Sequence, residues 1–277
     1  MNPGVRVDPH TVAFLRAAGC VYAEEEAQIL TEASHSTDEL RSLLARRASG
    51  EPLEYIVGWA QFCGLRIPLC AGVFVPRRRS EFLAECAVQA VMAAPGSLDP
   101  GRVRVLDMCC GSGAIGLAVA IQAGNVELLA ADDSPAAVEC ARKNLARVGG
   151  RVFQGDLFGA LPRARLRSID LIVASAPYVP TAQIERLPAE ARLCEPRSTL
   201  DGGPDGTSVQ RRILDAAAEW LGAAGVVMIE TGGAMAETTA NIARSAGLSA
   251  EIRQYSDLDA TVVVASHRPA PQRHARQ

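Results

Sequence analysis

The chain has 277 residues, 48% of them apolar and 21% charged, a balance typical of a folded globular protein with a sizeable core. The formal net charge of −3 excludes a strong overall attraction to DNA or RNA, so a nucleic-acid partner is not favoured. No apolar run is long enough to span a membrane, and residues 1–15 do not have the pattern of a signal peptide. We therefore expect a cytoplasmic protein with no membrane partner.

Residues 10–50 are rich in alanine, leucine and glutamate and contain no proline, and their apolar positions have helical spacing. Within them, Ser36 or Thr37 precedes an acidic first turn and Gly50 lies at the other end, which predicts the bounds of one helix. We predict a small helical domain over residues 1–54.

The next segment, 55–80, is rich in β-branched and aromatic residues and is punctuated by Gly58, Gly64 and Gly72. This composition predicts a β-hairpin, because glycines at such intervals mark turns between short strands. The hairpin would link the helical domain to the rest of the chain.

From residue 102 onward, strand-like segments alternate with helical segments, which predicts a mainly parallel sheet with helices on both faces. The last two strands are too close in sequence for a helical crossover, so they should pair antiparallel. We predict an α/β domain over residues 81–268 and a polar tail at 269–277. The predicted strands are 103–107, 126–131, 151–153, 169–174, 225–230, 249–254 and 261–266. The predicted helices are 80–94, 114–123, 134–148, 207–222 and 235–246.

Three successive strands of this pattern end in acidic residues, namely Asp107, the pair Asp132 and Asp133, and Asp156. After the first of them, Gly111 and Gly113 allow the backbone to turn tightly and to approach a ligand. Open α/β sheets bind ligands at the carboxyl ends of their strands, so the three acidic strand ends should surround one ligand.

The acids also indicate the kind of ligand. A dinucleotide pyrophosphate is anionic and favours a glycine loop at a helix N-terminus without an acid beside it. A carboxylate beside the loop favours a cofactor with a cationic amino-acid end, and S-adenosylmethionine is such a cofactor. In that case Asp132 should bind the ribose diol, Asp156 should lie near the adenine amine, and Asp107 should lie near the methionine end.

The eight cysteines form no C-x-x-C pair, so we predict buried reduced thiols and no metal site. The four histidines lie in terminal or polar segments and are expected to be solvated. These are His10, His35, His267 and His274.

Several motifs in the chain resemble, in order and spacing, those of the release-factor glutamine methyltransferases. They are EPLEYIVGWAQFCGLRIPLCAGVFVPR, VLDMCCGSGAIGLAVA, ADDSPAAVECARKN, GDLF, DLIVASAPYVP and EPRSTLDGGPDG. The resemblance implies a seven-stranded, Rossmann-like class I methyltransferase domain, preceded by a helical domain that recognises the substrate and by a hairpin linker. It also implies transfer of a methyl group from S-adenosylmethionine to the side-chain amide nitrogen of a glutamine in a peptide chain release factor.

The resemblance further implies roles for individual residues. The residues in the place of the family's catalytic Asn-Pro-Pro-Tyr motif are Ser175, Ala176, Pro177 and Tyr178. Cofactor-binding roles are implied for Asp107, Cys109, Gly111, Gly113, Asp132, Asp133, Asp156, Leu157 and Ser175. Substrate-binding roles are implied for Arg77, Tyr178 and Glu195.

The catalytic motif departs from the family pattern at its first two positions. Conjugation makes an amide nitrogen a poor nucleophile, so the site must hold its N–H groups with acceptors and aim its lone pair at the methyl group. By resemblance, the first motif residue offers a side-chain oxygen, the second a backbone carbonyl, and the tyrosine an aromatic face. Ser175 is shorter than asparagine and has no amide N–H to donate to a substrate carbonyl.

Two other departures stand out. Cys109 replaces the first loop glycine of the family, a change that is tolerable if its φ stays negative. The segment from Pro76 to Glu81 replaces the family's Pro-Arg-Pro-Glu-Thr-Glu and gains two positive charges, Arg78 and Arg79, beside the expected mouth of the site. The cofactor half is thus largely intact, whereas the substrate half differs.

These departures leave alternatives open. The acceptor could be a different protein, or a small molecule such as an amino acid or secondary metabolite, with the N-terminal helices acting as a lid. Serine can also precede Pro-Pro-Tyr in DNA or RNA amino-methyltransferases, although the acidic balance of this chain disfavours that class. A protein that binds the cofactor without catalysis would also explain the altered acceptor.

Overall fold

The computed structural model describes residues 7–94 and 102–267, and the predicted tail at 269–277 lies outside them. The first helices are α1 (Pro9–Ala17), α2 (Ala23–Ala33), α3 (Thr37–Ala48) and α4 (Leu53–Val57). As predicted, Ser36 caps the N-terminus of α3, where its hydroxyl accepts a hydrogen bond from the backbone N–H of Glu39 at 3.1 Å. The buried residues at the centre of these helices are Leu15, Cys20, Ala23, Ala27, Leu30 and Ile56.

A buried ion pair ties these helices to each other and to a later part of the chain. Arg47 of α3 donates to Glu26 of α2 at 2.6 Å, and both side chains are only 11% exposed. The same guanidinium donates to Glu190 at 3.1 Å. Glu190 lies on the short helix α8 (Ala189–Cys194), so the N-terminal helices contact a segment that follows the catalytic motif in the chain.

The predicted hairpin is formed by β1 (Trp59–Phe62) and β2 (Leu65–Pro68), which pair antiparallel. Cys63 and Gly64 make the turn, and both have positive φ, 49° and 76°. Positive φ at both central residues is the pattern of a type I′ turn, whose twist matches that of the flanking strands.

The amino end of the predicted hairpin segment is helical instead. Residues 55–57 belong to α4, which starts just after Pro52. Ile56 packs into the core of the N-terminal helices. This burial outweighs the strand preference of its β-branched side chain, because β propensity is weaker than tertiary context.

The rest of the chain forms the predicted α/β sheet of seven strands in the order β5-β4-β3-β6-β7-β9-β8. The first four strands of this order and β7 are parallel, and β7, β9 and β8 pair antiparallel, as predicted for the last two. The strands are β3 (Val103–Met108), β4 (Val126–Asp132), β5 (Arg151–Gln154), β6 (Ile169–Ala174), β7 (Leu221–Thr231), β8 (Ser249–Tyr255) and β9 (Ala260–Ser266). The helices are α5 (Glu81–Ala93), α6 (Ala114–Ala123), α7 (Pro135–Leu145), α9 (Ser208–Trp220) and α10 (Ala236–Ser245).

The sheet is covered on both faces because its strands are apolar on both sides. Val105 and Leu106, adjacent in β3, lie in different core clusters. The first cluster includes α5 and α6, and the second includes α9 and α10. No helix in the two described ranges is long and apolar enough to cross a membrane.

The boundary between α9 and β7 differs from the prediction. The helix ends at Trp220 rather than at residue 222, and the strand begins at Leu221 rather than at 225. The pairing of β7 with β6 shifts register between Ile169 and Leu171, so the early part of β7 is irregular. Such irregular strand starts have no periodic signal, which is why the sequence pattern missed this one.

The strand register places several motifs at one edge of the sheet. Met108 pairs with Ala131 on one side and with Ala174 on the other, and Ala174 pairs with Ile229. The residues after these positions therefore emerge side by side. The strand order reverses between β3 and β6, and open α/β sheets bind ligands at such a switch point.

Candidate active site

A first cleft opens at the carboxyl ends of β3, β4 and β6. Its lining includes many of the predicted cofactor residues, namely Cys109, Gly111, Asp132, Asp133, Leu157 and Ser175. The assignment of these residues to a cofactor stays a prediction.

Asp132 links the two loops that border this cleft. One carboxylate oxygen accepts from the backbone N–H of Gly111 at 2.9 Å, and the other accepts from that of Ser134 at 3.0 Å. Burial raises the pKa of Asp132, while these two N–H donors lower it. The carboxylate thereby holds the glycine loop and the start of α7 together beside the cleft.

Asp107 lies beneath the glycine loop and does not line the cleft. Its Oδ2 accepts from the backbone N–H of Gly116 at 2.8 Å, and its Oδ1 is buried with no hydrogen-bond partner among the described residues. Gly116 is required here, because a Cβ at that position would lie 2.9 Å from Oδ2. Burial raises the pKa of Asp107 to about 7.

Two other predicted cofactor residues do not line the cleft. Asp156 is an exposed carboxylate that pairs at 2.6 Å with Arg212, and Arg212 does line it. Gly113 has a φ of 76° and precedes α6, where a Cβ would lie 3.1 Å from Leu145. Their parts in cofactor binding also stay predictions.

The condition under which Cys109 would replace glycine without strain, a negative φ, is not met, since its φ is 57°. The loop must turn sharply between the end of β3 and α6, and Gly111 and Gly113 also have positive φ in the same turn. An L-residue in this region costs roughly 1–2 kcal/mol, a cost that glycine does not bear.

A second cleft adjoins the first and is lined by the four residues for which a catalytic role is predicted. Ser175, Ala176, Pro177 and Tyr178 all contribute to its wall. The two clefts share part of their lining, namely Phe74, Arg77, Ser175, Pro177 and Thr199. The motif therefore forms the wall at which the clefts meet.

The segment after the motif folds back on it. Gly202 donates its backbone N–H to the carbonyl of Val179 at 2.9 Å, and Val179 donates to Leu200 at 3.1 Å. A Cβ on Gly202 would lie 2.8 Å from the Cα of Tyr178. A Cβ on Gly206 would lie 2.5 Å from the carbonyl oxygen of Tyr178, so two of the three glycines of the GGPDG stretch serve close packing against the motif.

Glu195 and Arg77, both predicted to bind substrate, are bound to each other. Glu195 is buried, accepts from the backbone N–H of Val75 at 3.1 Å and forms an ion pair with Arg77. Arg77 also lies 4.7 Å above the ring of Phe74. Glu195 lines neither cleft, whereas Arg77 lines both, so of the two only Arg77 borders the space for a substrate.

Glu230, at the end of β7, is a site residue that the sequence analysis missed. It is 2% exposed, lines the second cleft and accepts from the Ser175 hydroxyl at 3.1 Å and from the Tyr178 hydroxyl at 3.2 Å. Arg79 lies 3.6 Å from the same carboxylate. A signal was present, because Glu230 is one more acid at a strand end, next to the strand that carries the motif.

Two arginines of the linker are paired with buried acids. Arg77 pairs with Glu195, and Arg79, one of the two gained charges, pairs with Glu230. The other gained charge, Arg78, is exposed. A basic patch that binds a polyanion needs several cations free to face solvent, so these pairings disfavour a nucleic-acid site at Arg77 to Arg79.

The remaining polar candidates contribute little to the site. Among the described residues, no group of three or more His, Cys, Asp or Glu side chains could hold a metal ion. His10, His35 and His267 are exposed, as predicted, and His274 lies outside the described residues. All eight cysteines are free, but the prediction of buried thiols is wrong for half of them, since Cys70 is exposed and Cys63, Cys109 and Cys194 are only half-buried.

Comparison with known proteins agrees with the class that the fold and site define. Residues 95–219 match the family model described as "Methyltransferase small domain". The fold is similar to a crystal structure of ribosomal protein L11 methylase from Lactobacillus delbrueckii subsp. bulgaricus, with a TM-score of 0.51 and 16% identity. That match covers 74% of this chain and 86% of the other. The chain is a class I methyltransferase of the S-adenosylmethionine-dependent kind.

Curated relatives define the family within that class. A release factor glutamine methyltransferase of Geobacter sulfurreducens is 42% identical over 200 residues, which are 72% of this chain and 66% of the relative. One of Bordetella pertussis is 36% identical over 237 residues, 81% of this chain and 83% of the relative. One of Bifidobacterium longum is 30% identical over 264 residues, 89% and 88% of the two chains. The chain belongs to the release factor glutamine methyltransferase family.

The positive φ of Cys109 leads to a first prediction. Cys109→Gly should raise the free energy of unfolding by about 1 kcal/mol, because it removes a left-handed cysteine. The control is Cys110→Gly, a buried neighbour that does not have positive φ, which should lower the free energy by about 1 kcal/mol or more. Urea denaturation measures both, and equal losses in the two variants would contradict the strain at Cys109.

The buried carboxyl group of Asp107 leads to a second prediction. Its folded-state pKa of about 7 lies above its ordinary value of 3.8, so the folded protein keeps a proton that the unfolded chain releases between these pH values. Because of Asp107, the free energy of unfolding should therefore fall as the pH rises through this window, by at most about 1.4 kcal/mol per pH unit. The free energy of unfolding of Asp107→Asn minus that of the wild type should rise from pH 4 to pH 7 and stay constant above pH 7. A difference independent of pH would contradict the raised pKa.

Proposed function

We propose that this chain transfers a methyl group from S-adenosylmethionine to the side-chain amide nitrogen of a glutamine in a peptide chain release factor. The observation that carries this proposal is the meeting of the two clefts at Ser175 and Pro177. A cofactor in the first cleft and an extended side chain in the second would face each other at that point. Transfer between two bound groups needs such a junction, since proximity and orientation supply much of the rate.

The first cleft has the chemistry to hold this cofactor. Asp132 and Asp133 line it, and the buried Oδ1 of Asp107 beneath the loop lacks a donor among the described residues. The space beside Gly111 is open, because nothing lies within 4 Å of an added Cβ. Ribose hydroxyls and a cationic amino group are the donors that such carboxylates accept. When bound, S-adenosylmethionine supplies a methyl group on a positively charged sulfur.

Within this proposal, the strand-end acids have separate parts. Asp132 holds the ribose diol, Asp107 and the glycine loop lie near the methionine end, and Asp156 lies near the adenine amine. The pairing of Asp156 with Arg212 places an arginine of α9 at the same side of the cleft. The acids also explain selection against a dinucleotide, whose phosphates they would repel.

The second cleft suits a planar amide. Ser175 offers a hydroxyl oxygen and Ala176 a backbone carbonyl, which are two acceptors for the two N–H groups of a glutamine side chain. Tyr178 lines the same cleft with an aromatic face. These contacts would hold the amide and turn its nitrogen toward the first cleft. The amide needs such positioning because conjugation makes its nitrogen a poor nucleophile.

A protein substrate is supported by the position of the N-terminal helices. Arg47 of α3 reaches Glu190, and Glu190 and Ala191 line the second cleft. The thiol of Cys194 also contacts the carbonyl of Gly50 at 3.7 Å. The helices therefore adjoin the entrance through which a substrate segment would reach Ser175. The relatives are named for release factors, and they do not favour the small-molecule, nucleic-acid or non-catalytic alternatives.

Cofactor binding can be tested at Asp132. Asp132→Asn keeps one oxygen but removes the negative charge, so the affinity for S-adenosylmethionine should fall by about 1.5–3 kcal/mol, the range for a hydrogen bond to a charged group. Asp170→Asn is the matched control, because Asp170 lies at the opposite end of β6 and accepts from the backbone N–H of Arg104. Isothermal calorimetry should show a change for the first variant alone. Equal affinity in the two variants would remove Asp132 from the cofactor site.

The methyl acceptor can be tested with purified components. The protein and labelled S-adenosylmethionine should transfer methyl label to a bacterial release factor, and mass spectrometry should place it on one glutamine side chain. Ser175→Asn combined with Ala176→Pro restores the family motif and provides the comparison. If the unchanged protein binds the cofactor but labels no release factor, while the restored motif does, then the chain has a different acceptor and the proposal fails.

A further inference from the structure

Glu230 is placed at the reacting wall by strand register. Ala174 at the end of β6 pairs with Ile229 of β7, so the next residues, Ser175 and Glu230, lie side by side, and Glu230 is still paired with Val262 of β9. The backbone of Glu230 is fixed by Gln210, whose side-chain amide donates to its carbonyl at 3.1 Å. Its carboxylate is therefore held beside the first residue of the catalytic motif by the sheet itself.

The carboxylate determines where two hydroxyl hydrogens point. Ser175 donates to Oε2 of Glu230 at 3.1 Å, and Tyr178 donates to Oε1 at 3.2 Å. A carboxylate accepts hydrogen bonds and has none to give, so both hydroxyls turn their hydrogens toward it. Burial, followed by the charge of Glu230, raises the pKa of Tyr178, which keeps that hydroxyl protonated as a donor.

The consequence for Ser175 is chemical. A hydroxyl has one hydrogen and two lone pairs, so it can serve a substrate as either donor or acceptor. Once its hydrogen is committed to Glu230, only the lone pairs of Oγ remain for a group in the clefts. An asparagine does not need such help, because its carbonyl oxygen is an acceptor in every orientation of the side chain.

Arg79 provides the compensation that this arrangement requires. A buried carboxylate without a cation is strongly destabilising. The guanidinium of Arg79 lies 3.6 Å from Glu230 and 5.7 Å from the centre of the Tyr178 ring. It is 45% exposed, so it balances the charge from the solvent side without occupying the junction of the clefts.

We propose that Glu230 is a positioning residue that fixes the Ser175 hydroxyl as the hydrogen-bond acceptor for an N–H of the substrate amide. This inference rests on the proposed function, since it assigns a donor on the substrate to the lone pairs of Ser175. Glu230 itself does not contact the reacting atoms and acts through the serine.

The test is a double-mutant cycle between Ser175→Ala and Glu230→Gln, measured as kcat for methyl transfer to a release factor. Glu230→Gln should lower kcat by roughly tenfold to a hundredfold, because a misdirected acceptor misplaces the amide. In the Ser175→Ala background, the same change should alter kcat by less than about threefold, since the Ser175 hydroxyl is absent and Tyr178 is proposed to face the substrate with its ring rather than its hydroxyl. Cofactor affinity, measured by calorimetry, should not change with Glu230→Gln in either the wild-type or the Ser175→Ala background, since Glu230 does not line the first cleft.

A second buried carboxylate provides the control for this cycle. Glu195→Gln removes a charge of similar burial that binds Arg77 and Val75 but neither motif hydroxyl. Whatever its effect on kcat, that effect should be the same with serine or alanine at position 175. If the double variant lowers kcat by the product of the factors measured for Ser175→Ala and Glu230→Gln alone, the two residues act independently. That outcome would overturn this proposal and leave the proposed function standing. A wild-type protein that binds the cofactor but labels no release factor would overturn the proposed function, and this inference with it.

Discussion

The parallel register of β4, β3, β6 and β7 is the constraint on which the site depends. It brings the ends of four strands to one edge, where Asp132, Ser175 and Glu230 occupy corresponding levels and Asp107 lies two residues before that level. Side chains alternate between the two faces of a sheet, so a slip of one residue between β6 and β7 would turn Glu230 away from Ser175. The large apolar clusters on both faces oppose such a slip, because each cluster fits only one register. Core packing thereby fixes the geometry of the polar edge.

The two halves of the site balance charge in different ways. Near the second cleft each of two buried carboxylates has an arginine, Arg77 for Glu195 and Arg79 for Glu230. Near the first cleft, burial raises the pKa of Asp107 and of Asp132, and no ion pair of either acid occurs among the described residues. Such carboxylates destabilise the protein unless a cation or a set of hydrogen-bond donors binds to them. A ligand that supplies them is bound selectively and stabilises the fold in turn.

The sequence pattern predicted the repeating strands and helices. It missed the loop conformation and the side-chain pairs that depend on tertiary contacts. Alternating strands and helices located the sheet within a few residues, and the acids at Asp107 and Asp132 were recognised because strand ends share an edge. The φ of Cys109 could not be predicted, because it depends on how the loop closes onto α6. The charges of Arg77 and Arg79 appeared free in sequence, although their partners lie more than a hundred residues further along the chain. Glu230 was missed because nothing adjacent to it in sequence marks its contact with Ser175.

The contacts of Glu230 also change how the departures from the family motifs are understood. Ser175 and Arg79 both replace residues of the usual pattern, and they contact different oxygens of the same carboxylate. A serine acceptor needs a neighbour to orient its hydroxyl, a buried carboxylate performs that task, and the carboxylate in turn needs a nearby cation. The two substitutions are thus parts of one arrangement and not independent losses. Residues that act as a unit are not additive, so restoring asparagine alone would leave Arg79 adapted to a serine.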